Sequence, residues 1–384
     1  MLNKIKKIAY VTGSRADFGL MTPVLKAIKC SKKLRLKLYA TGEHLLTEFG
    51  ATIKQVQREF ADVSRIEATF KQDDRAGMAG FAAEFLPKLT AALKEDQPDF
   101  MLTLGDRAEM LCVATACLYL GIPTGHIHGG EKTFTVDELA RHAITKLSSL
   151  HFPATPESAQ RIIKMGEEPR RVKVVGAPAM DVILKEKLSD RPELFQQLGL
   201  KPEKKVILLT LHPLPEEWQR ADRQIKASLA AVKSFGLEVV VIYPHADPGG
   251  RKMIKQINRE KNNQHFHIFS SLPHRQFLAL ARQAAVWVGN SSAAMIESAA
   301  FKVPVVNVGQ RQTGRQRGAN VIDANYNRKT IVRAIEKSLY DREYLRKLKK
   351  TTNPWGDGRA GLRIVKVLER LENSEKLLKK QITY

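Results

Sequence analysis

The sequence predicts an α/β protein made of two Rossmann-like doubly wound units that face each other across a cleft. Three observations predict it. Short apolar runs rich in Val, Ile, Leu and Tyr alternate with amphipathic stretches from end to end. Those runs are apolar on both faces, as the strands of a parallel sheet covered on both sides must be. The chain has 384 residues, enough for two cores of ordinary size.

The first unit is expected over residues 1–178. Its strands are read as "KIAYVTG", "LKLYATG", "DFMLTLG", "IPTGHIH", "LHFPAT" and "VKVVGAP". Between them, "PVLKAIKCSKK" and "AEFLPKLTAALKE" repeat apolar residues every three to four positions and read as covering helices. The stretch "GAPAMDVILKEKLSDRPELFQQLGLKPEKK" carries prolines and charges but few strand signals, which puts the connection at about residues 178–204. The second unit, over 179–357, has the strand candidates "VILLTLHP", "EVVVIYP", "HFHIFSS", "AVWVGN" and "VPVVNVG". Beyond these the pattern reads as helical, broken by "PWGDGRAG". That turn predicts a last helix, about 358–384, packed back on the first unit.

Composition narrows the class. Apolar residues make up 43% and charged residues 27%, an ordinary globular balance. No apolar run approaches the roughly 18–20 residues that span a bilayer, so no membrane insertion is expected. The start "MLNKIKKIAYVTG" lacks a small-residue cleavage site and reads as a first strand rather than a signal peptide. Cys30, Cys112 and Cys117 are too few and too scattered for a disulfide framework, which predicts a reducing, cytoplasmic setting. A net charge of +23 raises the question of nucleic acid. The basic residues are spread along the chain, however, with no RNA-recognition signature and no finger spacing, so no nucleic-acid partner is expected.

In doubly wound sheets, ligands gather where strand-end loops and helix N-termini converge. The chemically loaded residues of this chain sit at those positions. In "VTGSRADFGL", Gly13 and Ser14 free N–H groups at the start of a helix, and Arg15 can meet an anionic oxygen. The stretch lacks the G-x-G-x-x-G fingerprint, which argues against a dinucleotide. In "LGDRAEM", Asp106 either caps a helix starting at Arg107 or belongs to a site. An arginine in a first helical turn opposes the macrodipole, which suggests a counter-anion for Arg107.

"HIHGGEKTFTVDELARH" concentrates His128, Glu131, Asp137, Arg141 and their neighbours His126, Glu138 and His142. The spacing is poor for zinc, and no cysteine lies near, so no metal is expected. Several carboxylates beside arginines at strand ends are instead how acid–base groups acquire separated pKa values. His212 ends the strand of "LLTLHPLPEE", and His245 with Asp247 follows "VIYP". In "VGNSSAAMIESAA", Ser291 and Ser292 begin a helix suited to phosphate, and Glu297 lies where it could accept from ribose hydroxyls. "VGQRQTGRQRG" adds Arg311, Arg315 and Arg317 in a glycine-broken loop.

Taken in order, "VTGSRADFGL", "GDRAEM", "HIHGGE…DELARHAITKLSSLHFPAT", "GAPAMD", "LHP" and "GNSSAAMIES…VPVVNVGQRQTGR" resemble the UDP-N-acetylglucosamine 2-epimerases, in the hydrolysing form of sialic- and legionaminic-acid-type biosynthesis. The resemblance runs from about residue 8 to about residue 320. It implies a two-domain, glycosyltransferase-B-like fold with the nucleotide held mainly by the second domain. It implies that UDP leaves C1 as the C2 proton is removed, and that water adds to the resulting glycal. The products would be UDP and a free N-acetylmannosamine-type sugar. The substrate would be UDP-N-acetylglucosamine or a 2,4-diacetamido-trideoxy analogue, without metal or redox cofactor, in a homodimer or homotetramer.

Residue by residue, the resemblance matches Asp106 and Asp137 to catalytic acids. It matches Arg15, Arg107 and His212 to positions near the diphosphate. Ser291 and Ser292 match the β-phosphate site, Glu297 the ribose site and Arg311 the nucleotide pocket. Many members carry glutamate where this chain has His128, so acid–base duty here is expected of His128, of Glu131, or of a different substrate geometry. Two rivals share the fold: a UDP-sugar-dependent glycosyltransferase, and the non-hydrolysing epimerase, whose usual "HVEAG" block is absent.

Overall fold

The computed structural model describes residues 5–371 and 374–384. Its first sheet contains β1 (Lys6–Thr12), β2 (Leu34–Ala40), β3 (Val63–Arg65), β4 (Phe100–Leu104), β5 (Thr124–Ile127) and β6 (Leu150–Phe152). Its second contains β7 (Val206–Thr210), β8 (Glu238–Ile242), β9 (Phe266–Phe269), β10 (Val286–Gly289), β11 (Val305–Val308) and β12 (Val321–Ala324). The strand orders are β3-β2-β1-β4-β5-β6 and β12-β11-β10-β7-β8-β9, with every neighbouring pair parallel. Matching β7 to β1 makes the two orders identical. Each sheet therefore reverses direction once, between β1 and β4 in the first lobe and between β7 and β10 in the second. A crevice opens outside the strand ends at such a switch point.

Burial follows the two-residue period of a strand. Ile8 and Tyr10 of β1 pack on one face with Phe18, Leu25 and Phe152, whereas Ala9 and Val11 pack on the other with Phe81, Phe85 and Val113. In β7, Ile207 and Leu209 serve one core while Val206 and Leu208 serve another. Strands with two buried faces are the reason the runs look continuously apolar in the sequence.

Three edge features differ from the sequence expectation. "VKVVGAP" forms no strand; a single bridge joins His151 to Val172, and Val174 is exposed. It lies beyond β6, a three-residue edge strand that offers almost no backbone to pair with. The strands β3 and β12 were not anticipated, and the second interrupts a stretch read as helical. Both lie at sheet edges and pair with one neighbour. An edge strand tolerates polar residues, so "VSR" and "VIDA" carry a weak apolar signal.

The chain returns to the first lobe near its end. Trp355 is fully buried, and its carbonyl accepts from the Ala177 N–H at 2.7 Å. The Asp181 carboxylate accepts from the N–H groups of Ala360 and Gly361, each at 2.8 Å, at the start of the helix Ala360–Glu369. Ile364 and Leu368 of that helix are fully buried in the core containing Ile8 and Phe18. Beyond it, Arg171 donates to the carbonyls of Leu377 and Lys379, each at 2.8 Å. Among the described residues no helix is long and apolar enough to cross a membrane.

Candidate active site

Two adjoining cavities lie where the carboxyl edges of the sheets meet. They share Ala16, Leu20, His245, Ser292, Ile296 and Arg311. Arg15, Asp106, Arg107, His128, Asp137, Arg141, His212, His245, Ser291, Ser292, Glu297, Arg311 and Arg315 each line one or both, whereas Glu131, His126, Glu138, His142, Asp247 and Arg317 line neither. The switch-point strands supply six of these lining residues. Arg15 follows β1 and Asp106 with Arg107 follows β4, while His212 follows β7 and Ser291 with Ser292 follows β10.

The second-lobe wall is fixed by Asn290. Its side chain bonds the backbone of His212 twice, accepting from the N–H at 2.7 Å and donating to the carbonyl at 2.9 Å. This staple joins the ends of β7 and β10. Gly289 makes it possible, because a Cβ there would lie 1.9 Å from the Thr210 carbonyl oxygen at a φ of 136°. Arg311 and Gln312 donate to the Asn290 carbonyl at 3.2 and 2.8 Å, which brings the arginine loop back over the helix Ser292–Ile296. Glu297, at the end of that helix, is 1% exposed and has no partner for Oε2. Burial pushes its carboxyl up to about 8. Around it, Leu272, His274, Phe277 and Tyr243 form a partly apolar slot suited to a base and ribose.

The first-lobe wall carries the carboxylates. Asp106 is not a cap: the helix runs Ala108–Leu120, Arg107 occupies its N-cap position, and Asp106 pairs with the buried guanidinium of Arg141. Asp137 opens on the same cavity, 3.7 Å from Arg311. Burial raises its carboxyl against the pull of Arg311, and Asp247 adds to the rise. His128 takes a φ of 62°, left-handed backbone unusual for a residue with a side chain. Its Nδ1 pairs with Glu131, and its buried Nε2 has no partner. Glu131 lies behind it, also accepting from Arg315 of the other lobe at 2.6 and 3.0 Å. Burial would raise the Glu131 carboxyl, but Arg315 and His128 outweigh it and hold the group at about 2.

Sequence reasoning missed Glu43. It lies on the 3-10 segment Gly42–Leu45 after β2, with a side chain 6% exposed. Oε2 accepts from His245 Nδ1 at 2.9 Å; Oε1 accepts from the Ala246 N–H at 2.8 Å and from Arg107 at 3.2 Å. The His245 N–H in turn donates to His212 Nδ1 at 3.2 Å, which leaves the His212 proton on Nε2. Burial, with His245 and Arg311 nearby, keeps His212 neutral, so it meets the cavity as a hydrogen-bond donor.

Other residues of the loaded segments serve the scaffold. His126 is fully buried between Thr145 and the Gly105 carbonyl, and burial depresses it to about 3. His142 pairs with Glu138 at 3.6 Å, and Arg317 with Asp323 at 2.6 Å. Among the described residues no group of three or more His, Cys, Asp or Glu is arranged to hold a metal ion.

Comparison with known proteins agrees with this architecture. The sequence profile described as UDP-N-acetylglucosamine 2-epimerase matches residues 26–369. A UDP-N,N'-diacetylbacillosamine 2-epimerase (hydrolyzing) of Legionella pneumophila is 37% identical over 99% of this chain and 100% of its own length. A GDP/UDP-N,N'-diacetylbacillosamine 2-epimerase (hydrolyzing) of Campylobacter jejuni is 33% identical over 84% of this chain and 85% of its own. The crystal structure of a UDP-GlcNAc 2-epimerase from Neisseria meningitidis bound to UDP-GlcNAc shares the fold. Its TM-score is 0.79 at 20% identity, over 95% of this chain and 100% of that one. The profile match over most of the sequence and the two full-length or near full-length relatives settle the family: this chain belongs to the UDP-N-acetylglucosamine 2-epimerases.

Proposed function

We propose that the protein is a hydrolysing 2-epimerase. It would act on a UDP-2-acetamido sugar, UDP-N,N'-diacetylbacillosamine or UDP-N-acetylglucosamine, and release UDP and the free manno-configured sugar. The observation that carries this reading is the end-to-end likeness to a relative named for the hydrolysing reaction. The cleft supports it chemically. The slot around Glu297 takes uridine, Ser291, Ser292, Arg15, Arg107, Arg311 and His212 meet the diphosphate, and the cavity under Asp106 and Asp137 takes the pyranose.

In the first step the C1–O bond breaks with its electrons leaving on UDP, the C2 proton goes to a base, and a C1–C2 double bond forms. In the second a proton returns to C2 and water adds its hydroxyl to C1. Net inversion at C2 needs removal from one face and delivery to the other, hence two groups. Asp137, held up by burial, and His128, backed by Glu131, are that pair. Asp106, paired with Arg141, steadies positive character at C1. The arginines and the His212 N–H stabilise charge on the departing diphosphate. The chain would be incubated in D2O with a panel of UDP-acetamido sugars and the products read by NMR. UDP, a free manno sugar and deuterium at C2 are expected. A product that keeps its nucleotide would identify the non-hydrolysing reaction, and intact substrate throughout would overturn the proposal.

A further inference from the structure

We infer that Glu43 is a positioning residue that couples closure of the two lobes to the alignment of His245 and Arg107 on the diphosphate. The inference rests on the reading that a UDP-sugar occupies the cleft. Glu43 itself lines neither cavity, so whatever it does for the reaction it does through its partners.

Those partners come from both lobes. Arg107 follows β4 of the first sheet, whereas His245 and Ala246 follow β8 of the second, 202 and 203 residues from Glu43 along the chain. Separating the lobes breaks the bonds to His245 and Ala246. Burial would raise the Glu43 carboxyl, but His245 and Arg107 more than offset this and hold it at about 2, so an anion faces the Arg107 guanidinium and the His245 Nδ1–H. With Nδ1–H committed to that anion, His245 has Nε2 left for the cleft, where its ring lines both cavities. The ring is also stacked on His212, with centroids 4.7 Å apart and planes 15° from parallel.

The same carboxylate acts on two further groups. Its bond to the Ala246 N–H fixes the backbone whose preceding N–H donates to His212, and so supports the His212 tautomer. Arg107 is held from three sides, by Glu43, by Glu109 at 3.4 Å and by Asp247 at 3.6 Å. Glu43 is the one of these that bonds both Arg107 and the second-lobe backbone. A closed cleft thus assembles Arg107, His212 and the His245 ring around one buried carboxylate, the kind of preorganisation that accelerates departure of an anion.

The test uses Glu43→Ala, Glu43→Gln, His245→Ala and the double variant Glu43→Ala/His245→Ala. Release of UDP is followed with a UDP-sugar that the wild type turns over, and UDP binding by calorimetry. Glu43→Ala should lower kcat on the order of 100-fold, as misplacement of a reacting group does, while UDP affinity stays within about threefold. Glu43→Gln keeps an acceptor oxygen and should recover part of the loss; it also decides the matter if the alanine variant does not fold. In the His245→Ala background the Glu43→Ala loss should shrink, because most of it passes through the ring. Wild-type kcat in both Glu43 variants, losses that multiply in the double variant, or UDP affinity falling in step with kcat would each overturn the inference. A wild-type chain that releases UDP from no sugar would instead overturn the functional reading.

Discussion

Glu297 allows a prediction about stability that is independent of any substrate. Its carboxyl is 1% exposed, one oxygen has no partner, and burial alone raises it from 4.5 to about 8. At roughly 1.4 kcal/mol per pH unit, that rise corresponds to about 5 kcal/mol between the two protonation states. The sign follows from proton uptake. Between pH 4.5 and 8 the folded chain holds this proton and the unfolded chain does not, so stability falls as pH rises across that window. Glu297→Gln keeps the shape and removes the titration. Measured by urea denaturation, the variant should match the wild type near pH 5 and exceed it by about 2–4 kcal/mol at pH 8, the lower figure allowing for water that reaches the carboxyl. Above pH 8, where the group is ionised, the same substitution should weaken UDP binding about tenfold, because a charged acceptor for ribose hydroxyls is lost. Parallel pH–stability curves for the two proteins would refute the reasoning, since they would mean that Glu297 ionises in a hydrated site.

Asp137→Asn should lower kcat by about 10²–10⁴-fold and leave UDP affinity unchanged by calorimetry, because its role lies at the sugar and not at the nucleotide. Arg315→Met removes the partner of a buried carboxylate and should destabilise the chain by about 3–5 kcal/mol in urea at neutral pH. Glu131 is held at about 2, so its share of stability is present above the ordinary carboxylate range and is lost as pH falls toward that value. Glu131→Gln should therefore flatten the acid limb of the stability curve, as followed by circular dichroism. Gly289→Ala sets a methyl 1.9 Å from the Thr210 carbonyl oxygen at a φ of 136°, and should cost more than about 3 kcal/mol in thermal and urea melts.

Much of the cleft is legible in the sequence because strand ends are. A run such as "DFMLTLG" followed by "DRAEM" announces both a buried strand and the polar residues delivered at its tip, and Asp106, Asp137, Ser291 and Glu297 all face the cavities. The role of a residue within that cleft is less visible. Asp106 could be read as a cap, and its partner Arg141 is revealed by packing alone. Glu131 is one of the residues of "HIHGGE" from which acid–base duty is expected, yet it stands behind His128 in an ion pair with an arginine 184 residues away. Glu43 carries no local signal, because everything it bonds is distant in the chain. Phe277 and His274 share a face of a helix that reads as merely amphipathic, and the second lobe turns that face toward the cavity of Glu297. The missed strands are the outermost ones, where solvent replaces one neighbour and apolar patterning fades.

The helix Ala360–Glu369 has a consequence for how the protein is made. The ribosome finishes all six strands of the first sheet long before it reaches Ile364 and Leu368, which fill that sheet's core. At about 5–20 residues per second, the nascent amino-terminal half waits on the order of ten seconds or more for them. During that interval the groove along Phe18 and Leu25 remains open to water and to chaperones. The carboxyl-terminal half, whose six-stranded sheet is complete at Ala324, can consolidate earlier, so the order of synthesis and the order of maturation run opposite to each other.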